Sequence, residues 1–427
     1  MGSILKHLPR GQKVALAFSG GLDTRTATQW MSENEVEVYC YTADLGQPDE
    51  PDIQSIPKIA YEYGAKKAVV LDCREAIANE GMRAIQCGAF HVQSGGLKYY
   101  NTTPIGRAVT TKAIMEVMKK DGVSIFGDGS THRGNDIQRF FRYAKLFYPE
   151  VQIYKPWLDP AFVKMFGGRK EMAEYLEKKG KPYKASVEKA YSTDSNILGA
   201  THEAKDLEYL DKSLKIVEPI MGVPFWRDDF SVKKEEVEIE FQEGIVVSIN
   251  DERFSSMFEM FKKANEIAGR HGLGICDMVE NRVIDAKSRG VYEAPGMALI
   301  HIAYERLLQI YLDEDAFDLY FHLGRKLGRL LYEGKWYDFD AEIIKESLFK
   351  MSQIISGKVL IELDRGNNYI ILRTEAKNGN YHPELLSMEK TASLFTEEDR
   401  IGQLEIQNLS LYNNRNLKAL LKRYTKT

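Results

Sequence analysis

Ser19-Gly20-Gly21-Leu22-Asp23-Thr24 follows a short apolar run, Val14–Phe18, and precedes a segment that can form a helix. Glycine reaches positive φ and has no Cβ, so a Gly-Gly pair lets backbone N–H groups converge on an anion. The N-terminus of a following helix adds free N–H donors and a favourable dipole. For a lone Gly-Gly pair, the alternative is a turn that merely needs glycine. The flanking serine, aspartate and threonine, directly after a strand, favour a phosphate site.

Four strand-like segments alternate with helix-like segments over the first 130 residues. The predicted strands are 13–18, 36–41, 67–72 and 123–126, and helical patterns fall at 53–63 and 107–119. Such alternation predicts an α/β domain, a parallel sheet with helices on both faces, in which ligands bind at the carboxyl ends of the strands. The loops after the first, second and fourth strands are therefore expected to carry the chemistry.

The rest of the chain has a different pattern of predicted strands and helices. A charged stretch, 155–191, is expected to be helical, and two antiparallel hairpins are predicted at 235–249 and 357–373, with helices at 255–267 and 297–312. These patterns predict a second, α+β domain. Leucines among arginines and lysines at 409–424 fit an amphipathic helix that docks on its own chain or on a neighbour. The predicted domains are 1–187, 188–405 and a C-terminal helix at 406–427.

Composition excludes several classes of protein. The 427 residues carry a net charge of −4, from 58 basic and 62 acidic side chains, which argues against a nucleic-acid binder that relies on a basic field. The four cysteines are widely spaced and the histidines do not cluster, so no structural zinc site is expected and a reducing cytoplasm is favoured. We expect no signal peptide and no membrane span.

The glycine loop matches neither of two better-known phosphate loops. No lysine stands where a Gly-x-x-x-x-Gly-Lys loop needs one, and Gly-x-Gly-x-x-Gly is absent after the first strand. The loop resembles the pyrophosphate-binding loop of the ATP pyrophosphatases, which split ATP into AMP and pyrophosphate. A wide loop of backbone amides can hold both outer phosphates as a leaving group, so catalysis would rest on positioning and charge stabilisation.

Three further stretches carry candidate functional residues. At 125–139 a strand runs into a Gly-rich loop and a helix, on which Asn135, Asp136 and Arg139 share one face and could grip a zwitterionic amino acid. The alternative is an N-capped helix with a surface Asp–Arg pair. Residues 189–203 look like irregular polar loops. Residues 270–296 look like a polar surface, with Glu280 and Arg282 on a solvated helix face in the alternative interpretation.

Taken together, these stretches resemble the argininosuccinate synthase family, in its longer bacterial form, from about residue 4 to past residue 400. The resemblance lies in the segments 17–24, 41–49, 86–90, 127–136, 186–203 and 280–296. It implies that the chain condenses citrulline and aspartate with ATP to argininosuccinate. A citrullyl adenylate would form with release of pyrophosphate, and the aspartate amine would then displace AMP.

The resemblance also implies the site residues. ATP would be held by Ala17, Phe18, Ser19, Gly20, Gly21, Leu22, Asp23, Thr24, Arg25, Ala43, Gly129, Thr131, Asp136 and Asp194. Aspartate would be bound by Thr131, Asn135 and Asp136. Citrulline would be bound by Tyr99, Asn135, Arg139, Ser192, Thr201, Glu203, Glu280 and Tyr292. No general base and no protein-held metal is assigned; Mg²⁺ is expected with ATP, through phosphate oxygens. The resemblance further implies a cytoplasmic homotetramer whose C-terminal helix reaches across subunits.

Arg25 departs from the family pattern, which usually has serine there. Arginine brings up to five donors and a fixed charge but needs more room. It could contact a phosphate, extend into solvent or plug the loop. Two alternatives to an active synthase follow: a catalytically impaired relative that binds nucleotide or amino acid, and an ATP pyrophosphatase with another acceptor such as a tRNA base. The net charge of −4 argues against the second.

Overall fold

The computed structural model describes residues 3–181, 183, 191–377, 379–385 and 394–424. The described residues up to Lys377 form one compact unit, and those from Gly379 onward form a second. The predicted boundary at 187/188 lies outside the described residues. No helix in the described ranges combines the length and apolar character needed to cross a bilayer.

Strands and helices are numbered separately in chain order. The strands are β1 (Ile4–Leu5), β2 (Lys13–Ala17), β3 (Glu37–Asp44), β4 (Lys67–Asp72), β5 (Gln93–Ser94), β6 (Leu97–Lys98), β7 (Ile125–Asp128), β8 (Gln152–Tyr154), β9 (Ser192–Asn196), β10 (Gly199–Glu203), β11 (Glu235–Gln242), β12 (Ile245–Ile249), β13 (Ile275–Asn281), β14 (Lys287–Glu293), β15 (Gly357–Leu363) and β16 (Tyr369–Glu375). The helices are α1 (Leu22–Glu33), α2 (Ile56–Glu62), α3 (Arg74–Gln86), α4 (Thr102–Lys120), α5 (Asp136–Phe147), α6 (Pro160–Met165), α7 (Arg169–Lys178), α8 (Met257–Gly269), α9 (Pro295–Tyr311), α10 (Glu314–Tyr332), α11 (Phe339–Ser352) and α12 (Glu397–Tyr424).

Six strands form a parallel sheet in the order β1-β8-β7-β2-β3-β4. Val14, Ala15 and Leu16 of β2 are fully buried at its centre. Val14 and Leu16 pack with residues of α1 and α7, whereas Ala15 packs on the opposite face with residues of α4 and α5. Successive side chains of a strand point to opposite faces, so this apolar run needs helices on both sides. The predicted α/β sheet is confirmed: the predicted strand 67–72 has the observed ends, and the other three predicted strands differ from the observed ones only at their ends.

The second half of the large unit contains two antiparallel sheets. Their strand orders are β13-β14-β10-β9 and β12-β11-β15-β16. The second sheet contains both predicted hairpins, which are confirmed. One large apolar cluster joins this sheet to α8, α9, α10 and α11 and to α3 and α4 of the first half. The α+β prediction is therefore confirmed, and the two halves share a core.

Two predictions about the polar stretches are wrong. Residues 192–203 are not irregular, because β9 and β10 form an antiparallel hairpin. Glu280 lies on no helix: it belongs to β13, is 6% exposed and pairs with Ser288 of β14. Both segments differ from the prediction because polar residues occupy inward positions where an ordinary core strand has apolar ones.

The remaining helix predictions need smaller changes. Within 155–191 the described residues form only α6, α7 and a short 3₁₀ turn at Pro156–Leu158, and residues 182 and 184–190 lie outside the described ranges. The C-terminal helix is longer than predicted. It spans 28 residues from Glu397, and none of its side chains is buried in the single chain.

Candidate active site

The glycine loop lies between β2 and α1, at the carboxyl edge of the parallel sheet. Gly20 has a φ of +73°, the left-handed conformation that favours glycine. Gly21 is the N-cap of α1, and no side chain caps the helix. The Ser19 hydroxyl accepts a hydrogen bond from the Gly21 N–H at 3.3 Å, and the Thr24 hydroxyl donates to the Gly21 carbonyl at 3.1 Å. The loop therefore offers an uncapped helix N-terminus, which is suited to bind a phosphate.

Arg25 folds back along this loop. Its Nε donates to the Gly20 carbonyl at 2.5 Å. Its guanidinium lies 5.5 Å from the ring centroid of Tyr63 and 5.1 Å from that of Tyr183. These contacts link the glycine loop to the end of α2 and to the chain after α7. Of the three positions considered for this side chain, extension into solvent is the one that the contacts exclude.

The loop after β7 connects the glycine loop to a cavity. A Cβ on Gly129 would lie 3.1 Å from Thr24 Cγ2, so this glycine lies against the start of α1. Beneath it, Lys155 and Asp128 form an ion pair whose side chains are each 1% exposed. The other Asp128 oxygen accepts from the Ser130 N–H at 2.9 Å. Burial of both charges fixes the base of the loop, because neither partner has water as an alternative.

The cavity has a volume of about 230 Å³ and lies between this loop and the sheet that contains β10. Its lining is mostly polar and charged: Tyr99, Thr103, Arg107, Ser130, Thr131, Gly134, Asn135, Asp136, Arg139, Asp194, Thr201, Glu203, Glu280, Arg282, Tyr292 and Tyr332. The sheet register explains part of this set. Asp194, Thr201 and Tyr292 are directly opposite one another on β9, β10 and β14, so their side chains share one face.

Two arginines hold Asp136 in its charged form. Asp136 Oδ2 accepts from Arg107 Nε at 2.9 Å, and Oδ1 accepts from Arg139 Nη1 at 2.8 Å. Burial alone would raise the pKa of Asp136, but the two guanidiniums outweigh it and hold the pKa at about 2. Arg107 also donates to Asp194 Oδ2 at 2.7 Å. The Asp136–Arg139 pair is thus part of a buried network, which contradicts the surface-pair alternative, and Asn135 makes no side-chain cap.

Two glutamates on the opposite wall have raised pKa values, the reverse of the shift of Asp136. Burial raises the pKa of Glu203, although Arg282 opposes the rise. Burial also raises the pKa of Glu280, opposed by the Tyr332 hydroxyl. Among the described residues, the side-chain donor to Glu203 is Arg282 Nη2, at a long 3.4 Å, and the Glu203 side chain is 46% exposed. Protein donors thus compensate the carboxylates of this wall incompletely, and a cationic ligand group would complete the wall.

Most sequence-predicted residues lie in one of these two places. The cavity brings together Tyr99, Thr131, Asn135, Asp136, Arg139, Asp194, Thr201, Glu203, Glu280 and Tyr292. The glycine loop and its flanks contain Ala17 to Arg25, from the end of β2 to the first turn of α1. Gly129 lies against Thr24, and Ala43 is on β3, the strand that pairs with β2. Ser192 does not line the cavity: it lies opposite Glu203 on β9 and is exposed.

The cavity also contains residues that sequence reasoning missed, chiefly Thr103, Arg107, Ser130 and Tyr332. Arg107 stands at the start of a predicted helix, with nothing in its neighbourhood to separate it from a surface arginine. Ser130 falls inside the Gly-rich stretch at 125–139, and that position was an available signal. Tyr332 lies in no motif, so its sequence neighbourhood offers no signal.

Comparison with known families shows which family this chain belongs to. Residues 13–182 match the family described as the arginosuccinate synthase N-terminal HUP domain, and residues 191–414 match the arginosuccinate synthase C-terminal domain. The chain belongs to the argininosuccinate synthase family. As a member, it is an ATP-using ligase of arginine biosynthesis that acts on small molecules, and ATP is its co-substrate.

One solved structure shows a weaker likeness. A predicted subunit of a tRNA methyltransferase from Methanocaldococcus jannaschii is 19% identical, and the match covers 40% of this chain and 89% of that one with a TM-score of 0.24. At that TM-score the likeness supports no statement about this protein.

Proposed function

We propose that the chain condenses citrulline and aspartate with ATP to give argininosuccinate, AMP and pyrophosphate. The observation that carries this proposal is the cavity beside the glycine loop. Its lining holds both paired arginines and incompletely compensated glutamates, so it offers partners to the carboxylates and ammonium groups of two amino acids. Gly129 lies against Thr24, so the loop that lines this cavity is next to the glycine loop that is proposed to bind ATP.

In the proposed first step, the ureido oxygen of citrulline attacks the α-phosphorus of ATP. The bond from that phosphorus to the bridging oxygen breaks, and pyrophosphate leaves with the electron pair. Backbone N–H groups of the glycine loop and the start of α1 would bind the leaving pyrophosphate and stabilise its charge. The protein's part in this step is to align oxygen, phosphorus and leaving group.

In the proposed second step, the aspartate amine attacks the activated ureido carbon. AMP leaves and takes the former ureido oxygen with it, and the amine loses a proton. A ureido carbon is a poor electrophile until its oxygen becomes a good leaving group, so adenylation has to come first. Most of the proposed residues bind and orient substrates, and we assign no obligatory general base.

Substrate binding is proposed residue by residue. Asn135 and Arg139 with Tyr99, Tyr292 and Thr201 would hold citrulline, together with Glu203 and Glu280. Ser192 stays in the proposed set, but it does not line the cavity, so it would contact a part of citrulline that extends beyond the cavity lining. Thr131, Asn135 and Asp136 would hold aspartate. Ala17 to Arg25 with Ala43, Gly129, Thr131, Asp136 and Asp194 would hold ATP. Asp136 and Asp194 are both bonded to Arg107, so a nucleotide contact by either one would also involve that guanidinium.

Magnesium would enter with ATP. In the described ranges, no group of three or more histidine, cysteine, aspartate or glutamate side chains is arranged to hold a metal ion. Near the glycine loop, burial raises the pKa of Asp23, against the lowering effect of Arg169 and of the Trp157 hydrogen bond. We propose that phosphate oxygens would hold the ion, which would neutralise phosphate charge.

We propose further that the enzyme is active despite Arg25. The Nε of this side chain bonds to the Gly20 carbonyl and its guanidinium lies near the rings of Tyr63 and Tyr183, which supports a brace on the loop rather than a plug. A cytoplasmic homotetramer and the domain division at 187/188 and 405/406 remain proposals. The gap between the two family matches, from 182 to 191, supports the first boundary.

The test is product formation by purified protein. With citrulline, aspartate and Mg-ATP, we expect AMP, pyrophosphate and argininosuccinate in equal amounts, and none of the three when citrulline is omitted. Failure to release AMP above background would contradict the proposal. Replacement of citrulline by RNA serves as the control for a different acceptor, and ATP turnover with RNA alone would favour that alternative.

A further inference from the structure

Tyr332 joins two walls of the cavity through one hydroxyl group. It is the last residue of α10 and is 1% exposed. Its Oη accepts a hydrogen bond from Asn135 Nδ2 at 2.8 Å and donates one to Glu280 Oε1 at 2.6 Å. Asn135 stands at the start of α5, and Glu280 is on β13. The hydroxyl thus connects the parallel-sheet half of the molecule to the antiparallel half.

This arrangement fixes the amide of Asn135 at both ends. Its Oδ1 accepts from the Val283 N–H at 2.9 Å, and one hydrogen of Nδ2 goes to Tyr332. A flipped amide would place Nδ2 against the Val283 N–H, so two donors would face each other. In the observed orientation a single amide hydrogen is left over, and Asn135 can offer it as a donor to a ligand.

The same hydroxyl selects which oxygen Glu280 presents. Oε1 is occupied by Tyr332, whereas Oε2 is buried without a close hydrogen-bond partner among the described residues. The Tyr292 hydroxyl makes a weaker contact with this carboxylate and also lowers its pKa. A buried carboxylate oxygen without a close donor is unfavourable, so Oε2 is poised for a ligand N–H.

We propose that Tyr332 is a positioning residue for amino-acid binding: its hydroxyl orients Asn135 and Glu280 so that one presents a single N–H and the other a single carboxylate oxygen to the substrate. The inference rests on the proposed function, because the substrate expected against both groups is citrulline. Tyr332 itself need not touch the substrate.

The hydroxyl can be removed with little else changed. The ring of Tyr332 lies 4.8 Å from the Arg139 guanidinium and 4.9 Å from the His91 ring, and its backbone carbonyl accepts from Arg139 Nε at 2.8 Å. Tyr332→Phe keeps all three contacts. Tyr320→Phe is the matched control, because Tyr320 is a buried residue of the same helix whose hydroxyl donates to the Ile85 carbonyl at 3.2 Å.

The first readout is the Michaelis constant of each substrate for both variants. For Tyr332→Phe we expect the KM for citrulline to rise about tenfold or more, as for loss of a hydrogen bond to a charged group. The KM for ATP should stay within about twofold, since the glycine loop is untouched. Tyr320→Phe should lower the melting temperature and leave each KM within about twofold of wild type.

The second readout is the pH profile of kcat/KM for citrulline. The titratable and charged groups that face Glu280 are Tyr99, Arg139, Glu203, Arg282, Tyr292 and Tyr332. Burial raises the pKa of Glu280, and the Tyr332 hydrogen bond opposes that rise, so Tyr332→Phe should raise the pKa further. The acid limb of the profile should move up by about one pH unit.

Two results would overturn the inference. In an active enzyme, an unchanged KM for citrulline together with an unchanged acid limb in Tyr332→Phe would contradict the role of Tyr332 alone. A rise in the KM for all three substrates in both variants would show a structural role only, and would also contradict positioning. An inactive wild type is a distinguishable outcome, because it would contradict the proposed function and this inference with it.

Discussion

Arg25→Ser places the residue typical of the family into the glycine loop, and the outcome separates an active enzyme from an impaired one. The substitution removes the Nε bond to the Gly20 carbonyl and the stacking on Tyr63 and Tyr183. A hydrogen bond from a charged group contributes about 1.5 kcal/mol at the low end. Each cation–π contact at a partly exposed site adds about 0.5 kcal/mol. The total loss is therefore about 2 to 3 kcal/mol.

A loss of this size lowers the melting temperature by roughly 2.5–4 °C, because Arg25 belongs to the large compact unit, whose unfolding entropy is about 0.8 kcal/mol per kelvin. Because Arg25 braces the loop that is proposed to hold pyrophosphate, the KM for ATP should also rise a few-fold, without a gain in kcat. Differential scanning fluorimetry and AMP release at varied ATP measure the two effects. Arg10→Ser is the control, since the Arg10 side chain makes one exposed hydrogen bond, to Asn34, within the described part of the chain. A higher kcat in Arg25→Ser would refute the reasoning and favour an impaired natural enzyme.

Three further predictions concern the architecture around the cavity. Asp136→Asn should lower the unfolding free energy at pH 7 by about 2–3 kcal/mol, since the pKa of this carboxyl lies at about 2 against an ordinary 3.8. This contribution is complete above about pH 5 and is lost as the pH falls towards 2, so a difference from wild type that grows below pH 4 in denaturant titrations would contradict it. Gly127→Ala should destabilise the protein by about 2 kcal/mol or more in thermal unfolding, because the new Cβ would lie 2.5 Å from a β8 carbonyl oxygen. Gly167→Ala is the control and should be near neutral, since nothing lies within 4 Å of its Cβ; equal melting temperatures for the two variants would count against this packing. Lys155→Met should cost about 3–5 kcal/mol by leaving Asp128 charged and buried, and addition of Asp128→Asn should recover part of it; a single variant as stable as wild type would argue against the buried pair.

The parts of the fold that were predicted from the sequence are those in which burial leaves an apolar pattern. Lys67–Asp72 was predicted with its observed ends, and the hairpins at 235–249 and 357–373 show alternating apolar residues because one face of each packs on the core. The glycine loop could be predicted because a residue at positive φ is usually glycine, so the turn at Gly20 is visible in the local sequence.

Less of the site than of the fold could be predicted from the sequence. Ser192–Asn196 and the strand of Glu280 carry polar residues at inward positions, so they lack the apolar alternation from which a strand is predicted. Arg107 and Tyr332 reach the cavity from helices far apart in the chain, and only tertiary packing brings them to Asp136 and Asn135. Their roles could not be predicted from neighbouring residues, whereas those of Asn135, Asp136 and Arg139 could, since helical spacing already places these three together.

The most direct test of the proposed chemistry follows one oxygen atom. Citrulline labelled with ¹⁸O in its ureido group is incubated with aspartate, Mg-ATP and the purified protein, and AMP and pyrophosphate are analysed by mass spectrometry. If the ureido oxygen attacks the α-phosphorus and leaves with AMP, one ¹⁸O atom appears in each AMP and none in pyrophosphate. Unlabelled AMP alongside argininosuccinate would contradict a citrullyl adenylate and the roles assigned to the glycine loop and the cavity.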